Sequence, residues 1–293
     1  MNALVIINPV AGKKKIKKDL YDLISVLSQA GYDADVMLTK SKGDATEFAE
    51  KYSSYHDLTV CCGGDGTLNE VITGLMHAKC DTKLMYYPCG STNDFATTLG
   101  IPKKIEADCL NPEKHNILDL DIGEINGTYF SYIASFGIFT KSSYSANQEL
   151  KNALGHAAYI LEGAKELSDL GKAYHTKITY DGGEIEGDYV LVAVTNSTSA
   201  GGVLRLSEEQ VKLNDGIFEI LLIKALSNIA DTSAVINQLL KQQYDGKNVI
   251  LLQTRSCKIE CDDNPAWTID GEFGGNIPVA NLSCIHGAIH LIV

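Results

Sequence analysis

The chain has 293 residues, 45% of them hydrophobic and 21% charged, with a net charge of −12. That length is enough for two domains with a sizeable core, and the acidic balance argues against duplex DNA or other nucleic acid as a partner. No apolar run reaches the roughly 18 residues that cross a bilayer, and residues 1–7 lack the charged segment and long apolar core of a signal peptide, so a cytoplasmic protein is expected. The eight cysteines do not fall at zinc-ligand spacings; Cys257 and Cys261 stand four apart with no second pair beside them. In a cytosolic chain they read as reduced, small core residues.

Residues 3–7 form an apolar, β-rich run, read as the first strand. The loop Asn8-Pro9-Val10-Ala11-Gly12 follows, punctuated by its proline and glycine. Ile16, Leu20, Leu23, Ile24 and Leu27 recur at helical spacing up to a capping Gly31. A second strand over 33–38, a helix over 44–52 and a third strand over 58–62 come next. That strand runs into Gly63-Gly64-Asp65-Gly66-Thr67, after which Leu68, Val71, Ile72 and Leu75 predict a helix from about Gly66.

This alternation predicts a parallel sheet with helices on its faces, and ligands in such sheets sit at the carboxyl ends of the strands. The 8–12 loop, Thr39 and the 63–67 loop all fall there. A strand, a glycine turn and a helix N-terminus make an anion site. Asp65 fits that reading only with a cation between it and the phosphate. A tight turn in which Asp65 caps the helix fits the residues equally well.

A fourth strand, 83–87, leads into Pro88-Cys89-Gly90-Ser91-Thr92-Asn93-Asp94-Phe95-Ala96, with a helix over 94–99. Near residue 116 the character changes to strands at 116–122 and 129–135, with a turn at 124–127 between them. A helical stretch over 139–171 follows. Then come strands at 177–180, 185–194, 216–223, 249–253, 256–261 and 288–292, interrupted by a helix over 226–244. Recurring strands with Gly, Asn and Asp turns predict an antiparallel sandwich. The chain is therefore read as α/β plus β, with an α/β domain at 1–118 and a β-sandwich at 119–293. The chain stops soon after its last predicted strand, so a C-terminal return to the first domain is not expected. His286 and His290 lie in strand-like sequence, about 13 Å apart at that spacing, and read as surface or packed residues.

Gly63-Gly64-Asp65-Gly66-Thr67 resembles the nucleotide signature shared by diacylglycerol, sphingosine, ceramide and NAD kinases and 6-phosphofructokinases. The extension Leu68-Asn69-Glu70-Val71 narrows the resemblance to the diacylglycerol kinase catalytic family, and Thr92-Asn93-Asp94-Phe95 favours the lipid branch over NAD kinases. The resemblance spans Asn8 to Glu272. It implies a doubly wound nucleotide-binding domain, a β-sandwich domain and an active site in the cleft between them.

By the same resemblance, Asn8, Pro9 and Gly12 belong to an "NPxSG" phosphate loop in which Ala11 replaces the serine. Thr39, Gly63, Gly64, Asp65, Gly66, Thr67, Asn69, Glu70 and Thr92 belong to the nucleotide site. Asp94 belongs near the transfer centre. Asp121 matches the family's "D-x-G" strand and is expected behind a metal. Val211-Lys212-Leu213-Asn214-Asp215-Gly216 resembles an "LxDG" turn that holds a structural Mg²⁺ through Asp215 and the carbonyls of Lys212 and Ile217; an Asp-Gly hairpin turn is the plain alternative.

Asp270-Gly271-Glu272 resembles the catalytic segment. On a strand, its two carboxylates would share a face, one taking a hydroxyl proton and the other positioning Mg²⁺; a solvated hairpin is the plain reading of the three residues by themselves. The implied activity is ATP- and Mg²⁺-dependent phosphorylation of a lipid hydroxyl, diacylglycerol first. Phosphatidylglycerol, ceramide and sphingoid bases are the alternative acceptors, and a regulator that has lost catalysis is the alternative of another class. Lys13, Lys14, Lys15, Lys17, Lys18, Lys103 and Lys104 are expected to bring the acidic protein transiently to the inner face of an anionic membrane. The oligomeric state stays open, a homodimer included.

Overall fold

The computed structural model describes residues 1–14, 16–90, 93–101, 116–138, 172–200, 204–207, 209–226, 229–244 and 246–293. The predicted helix at 139–171, Thr92, Lys15, Lys103 and Lys104 lie outside these. So do the side chains of Lys13, Lys14, Lys17, Lys18 and Asp94. The chain divides into two compact units, Met1–Ile122 with His286–Val293, and Gly123–Ile285.

The first unit is the predicted α/β layer structure. Its elements are β1 (Asn2–Ile7), α1 (Ile16–Gln29), β2 (Asp33–Leu38), α2 (Asp44–Tyr52), β3 (Leu58–Gly63), α3 (Asp65–Ala78), β4 (Lys83–Pro88), α4 (Asp94–Thr98) and the start of β5 (Ile117–Ile125). β1 pairs in parallel with β2 and β3, and β3 with β4. Ala3 to Ile7 are all buried, as a central strand covered on both faces requires. Leu68, Val71, Ile72 and Leu75 form the buried stripe of α3. On the same helix Gly74 lets α2 approach; a Cβ there would stand 2.4 Å from the Thr46 carbonyl oxygen.

The second unit adds β6 (Thr128–Phe130), β7 (Ile133–Gly137), β8 (Tyr174–Tyr180), β9 (Gly183–Thr195), the short pair β10 (Ser199–Ala200) and β11 (Leu204–Arg205), β12 (Phe218–Lys224), α5 (Ile229–Lys241), β13 (Val249–Thr254), β14 (Ser256–Cys261), β15 (Ala266–Ile269), β16 (Glu272–Asn276) and β17 (Val279–Ile292). β9 is the long strand that serves both layers. Its first half pairs with β8, and its second half with β7 and β12. Phe136, Val192, Ile220 and Trp267 from one layer meet Ile178, Ile259 and Leu282 from the other in a single apolar core. Phe136 and Trp267 pack edge-on with centroids 4.9 Å apart.

The C-terminal return that the sequence did not predict is present. The end of β17 pairs in parallel with β4, Leu291 opposite Leu84 and Ile292 opposite Met85. Ile292 packs in the core of the first unit. Histidines fasten this return. His286 Nδ1 and the Gly287 N–H both reach Asp121 Oδ1, at 2.8 and 2.7 Å. His290 bridges Asp119 and Asp81. Asp121 is fully buried, and its carboxylate holds the returning strand.

Candidate functional site

In the first unit, the loops at the carboxyl ends of β1, β3 and β4 are locked to one another. Asn8 Nδ2 donates to Thr67 Oγ1 at 3.0 Å, and the Asn8 N–H donates to the Cys62 carbonyl at 2.9 Å. The Cys89 N–H donates to the Gly63 carbonyl at 2.7 Å. Glycine is required where these loops touch. A Cβ on Gly12, whose φ is +50°, would lie 1.8 Å from the Cys89 carbonyl oxygen. A Cβ on Gly90 would lie 2.5 Å from the Gly64 Cα. The Thr39 N–H donates to the Ile7 carbonyl, which sets Thr39 beside the same strand ends.

The helix cap at this point is Gly64, with φ −96° and ψ −174°, and Asp65 is the first residue of α3. The helix starts near Gly66 as expected, but its cap is Gly64 rather than Asp65. Asp65 Oδ1 accepts the Phe95 N–H at 3.4 Å, which places the carboxylate in the first turn of α3 and against the N-terminal turn of α4. Both helix dipoles favour a negative charge there.

Asn93 supports the second loop with φ +53°, its amide donating to the Gly90 carbonyl at 2.9 Å. Glu70 reaches the start of α2. Its carboxylate accepts the N–H groups of Gly43 and Ala45 at 3.0 and 3.3 Å and caps α2. Asn69 is half-buried on α3, and Pro9 is half-buried in the first loop. Burial pushes the Cys61 and Cys62 thiols well above their ordinary pKa, which makes them packing groups rather than nucleophiles.

The second unit corrects the reading of 270–272. Asp270 and Gly271 are the two-residue turn between β15 and β16, with φ +45° and +82°, the pattern of a type I′ hairpin. Asp270 and Glu272 therefore do not share one face of a strand. Asp270 is only 6% exposed. Its Oδ2 accepts the Ser131 N–H at 2.6 Å, and its Oδ1 accepts those of Tyr132 and Ile133 at 3.0 Å each. Three amide donors suit an ionised carboxylate and pin the turn to the start of β7. Glu272 is exposed on β16. The hairpin that the residues alone suggest is present, with Asp270 buried rather than solvated.

The turn at Lys212, Asp215 and Ile217 is an Asx turn, with Asp215 Oδ1 accepting the Ile217 N–H at 3.1 Å. Among the described residues no group of three or more His, Cys, Asp or Glu stands ready for a metal. What sequence reasoning missed nearby is Glu219 on β12, 1% exposed, with Oε1 on Gln253 Nε2 at 3.2 Å and Oε2 without a partner among the described residues. Desolvation first, then the charge of Asp215, pushes its pKa up from 4.5 to about 8. The folded state keeps this proton to about pH 8, whereas the unfolded chain releases it near 4.5. Stability from this group is therefore fully present below pH 4.5 and is lost as pH rises toward 8. In metal-free buffer, urea midpoints of the wild type should fall across that window, and those of Glu219→Gln should stay level.

An α/β unit with a glycine-linked strand-end site is followed by a β-sandwich unit with a buried aspartate turn, and each part matches a known family. Residues 2–125 match the family described as diacylglycerol kinase catalytic domain, and residues 133–293 match the YegS C-terminal NAD kinase beta sandwich-like domain. The chain belongs to the diacylglycerol kinase catalytic family. It is 34% identical over 279 residues to a diacylglycerol kinase of Bacillus subtilis (strain 168), covering 94% of this chain and 91% of that protein. It is 32% identical over 278 residues to one of Staphylococcus aureus (strain MRSA252), covering 94% and 87%. A solved diacylglycerol kinase from Bacillus anthracis str. Sterne superposes with a TM-score of 0.77 at 25% identity, covering 99% of this chain and 96% of that one.

Proposed function

We propose that the protein transfers the γ-phosphoryl group of ATP, with Mg²⁺, to the hydroxyl of a lipid, diacylglycerol first, giving phosphatidic acid. The observation that carries this is the set of three strand-end loops closed around Gly63, Gly64 and Gly90 at the N-terminus of α3. Their peptide N–H groups suit the nucleotide phosphates. Mg²⁺ would neutralise charge on those phosphates, and Asp65 would hold it. In the transfer, the bond from the γ-phosphorus to the bridging oxygen breaks and a bond to the acceptor oxygen forms. The hydroxyl proton goes to a base.

Because Asp270 is saturated by three amides, we assign the base to the exposed Glu272 and give Asp270 the task of holding the turn. The donors at Asp215, Lys212 and Ile217 supply too few oxygens for a tight Mg²⁺ site by themselves. The orphaned Glu219 Oε2 is a further oxygen that a structural ion there would gain by displacing the Glu219 proton. The lysines of residues 13–18 and 103–104 are proposed to draw the protein to an anionic membrane from the cytoplasmic side.

The test is one assay. Wild-type protein is incubated with labelled ATP, Mg²⁺ and vesicles carrying diacylglycerol, phosphatidylglycerol, ceramide or a sphingoid base, in neutral and anionic backgrounds. Label in phosphatidic acid, faster on anionic vesicles and slowed by salt, is the expected result. Label in no lipid would sink the reading, and equal rates on both backgrounds would remove the lysines from it.

A further inference from the structure

The described phenylalanines of both cores, Phe95, Phe130, Phe136 and Phe218, are no more than 1% exposed. Phe273 is 64% exposed. It follows Glu272 on β16, which pairs with β15 and ends the described sheet. Nothing on its own strand shields the ring. Glu272 and Asn276 are exposed, and Gly274 and Gly275 have no side chains. Both glycines are needed by the backbone. A Cβ on Gly274 would stand 2.5 Å from Ile269 side-chain carbons, and Gly275 has φ +103°.

The pairing register slips between Trp267 and Thr268, opposite these glycines. Such a bulge increases twist and re-aims a side chain. Single exposed apolar residues are common on protein surfaces. This one differs in its place, because the rigid turn held by Asp270 presents it at the hairpin tip, one residue along β16 from the carboxylate assigned to the acceptor hydroxyl and on the opposite face of the strand.

We infer that Phe273 inserts its ring among the acyl chains of the bilayer that carries the acceptor, holding Glu272 at the depth of the lipid hydroxyls. This rests on the lipid-kinase reading above. Aromatic rings settle at the membrane–water interface, where an apolar body and a wet edge are both accommodated. A ring on a two-residue hairpin pinned by three amides enters with little conformational freedom left to lose.

The inference is tested with Phe273→Trp and Phe273→Ala. The sole native tryptophan, Trp267, is fully buried, so a second indole at 273 is separable by difference spectra. With vesicles of brominated phosphatidylcholine containing diacylglycerol, the added indole fluorescence should shift to the blue and be quenched. Phe273→Ala should raise KM for vesicle-borne diacylglycerol roughly tenfold, in line with losing burial of one aromatic ring, and leave kcat within about twofold. It should leave KM for a short-chain, water-soluble diacylglycerol unchanged.

An unquenched indole overturns the inference, and so does an equal rise in KM on both acceptors. Neither result touches the lipid-kinase reading, which fails only if wild-type protein labels no lipid.

Discussion

Asp270→Asn should lose stability and turnover together. Asparagine tolerates the positive φ of 45° at this position, so the backbone is not the cause. The cause is donor count. Asp270 offers two oxygens to three N–H groups, those of Ser131, Tyr132 and Ile133. Asparagine has one oxygen and an NH₂. If its oxygen keeps Tyr132 and Ile133, its NH₂ faces the Ser131 N–H at a site with almost no access to water. A hydrogen bond to a charged group contributes about 1.5–3 kcal/mol, and the orphaned donor adds a desolvation penalty of about 1–3 kcal/mol. The melting temperature should drop by several degrees, and kcat by at least about 100-fold through misplacement of the turn.

Glu272→Gln separates the two effects. It removes an exposed carboxylate, so kcat should fall similarly while the melting temperature holds. Asp270→Asn with an unchanged melting temperature would refute the clamp. Normal turnover in Glu272→Gln would put the base elsewhere.

Gly64→Val should abolish ATP binding in a protein that still folds. The φ of −96° at Gly64 is open to any residue, so the cost is steric. Its Cβ would stand 3.2 Å from the Gly90 Cα, and the two methyls of valine extend further into the seam between the loops. Whichever way the seam opens, the peptide N–H groups at the start of α3 lose their common aim. We expect affinity by calorimetry to fall at least about 100-fold, with far-ultraviolet dichroism unchanged, because the strands below keep their pairing. Gly12→Ala is the contrast. Its Cβ meets a carbonyl oxygen at 1.8 Å on a backbone of φ +50°, so it should destabilise the unit itself. Unaltered ATP affinity in folded Gly64→Val would exclude the glycine loop from the nucleotide site.

What the sequence disclosed was local. Strands buried on both faces were legible as unbroken apolar runs, and 256–261 was read to the residue. The glycine loop was legible because no other residue serves where Gly64 and Gly90 approach so closely. Relations between distant segments were not legible. The three amides on Asp270 come from residues 137 to 139 positions away. No periodicity encodes that. β16 was missed because Gly274 and Gly275 carry no strand signal. The first nine residues of β17 were missed because Asn281, Ser283, His286 and Gly287 break up its apolar pattern. The partners of Glu70 on α2 were hidden for a related reason, since they lie 25 and 27 positions away.

The parallel pairing of Leu291 and Ile292 with β4 has a consequence for how the protein is made. Domains generally fold in the order in which the ribosome delivers them. Here the first unit to be translated needs its last strand from Leu291 and Ile292, about 200 positions beyond β4. Until those residues emerge, β4 keeps an open edge with unpaired amides and carbonyls, and such edges template aggregation. The nascent chain thus carries an incomplete α/β unit through the whole production of the sandwich. Its completion is a late step of long loop closure, slow by comparison with local folding.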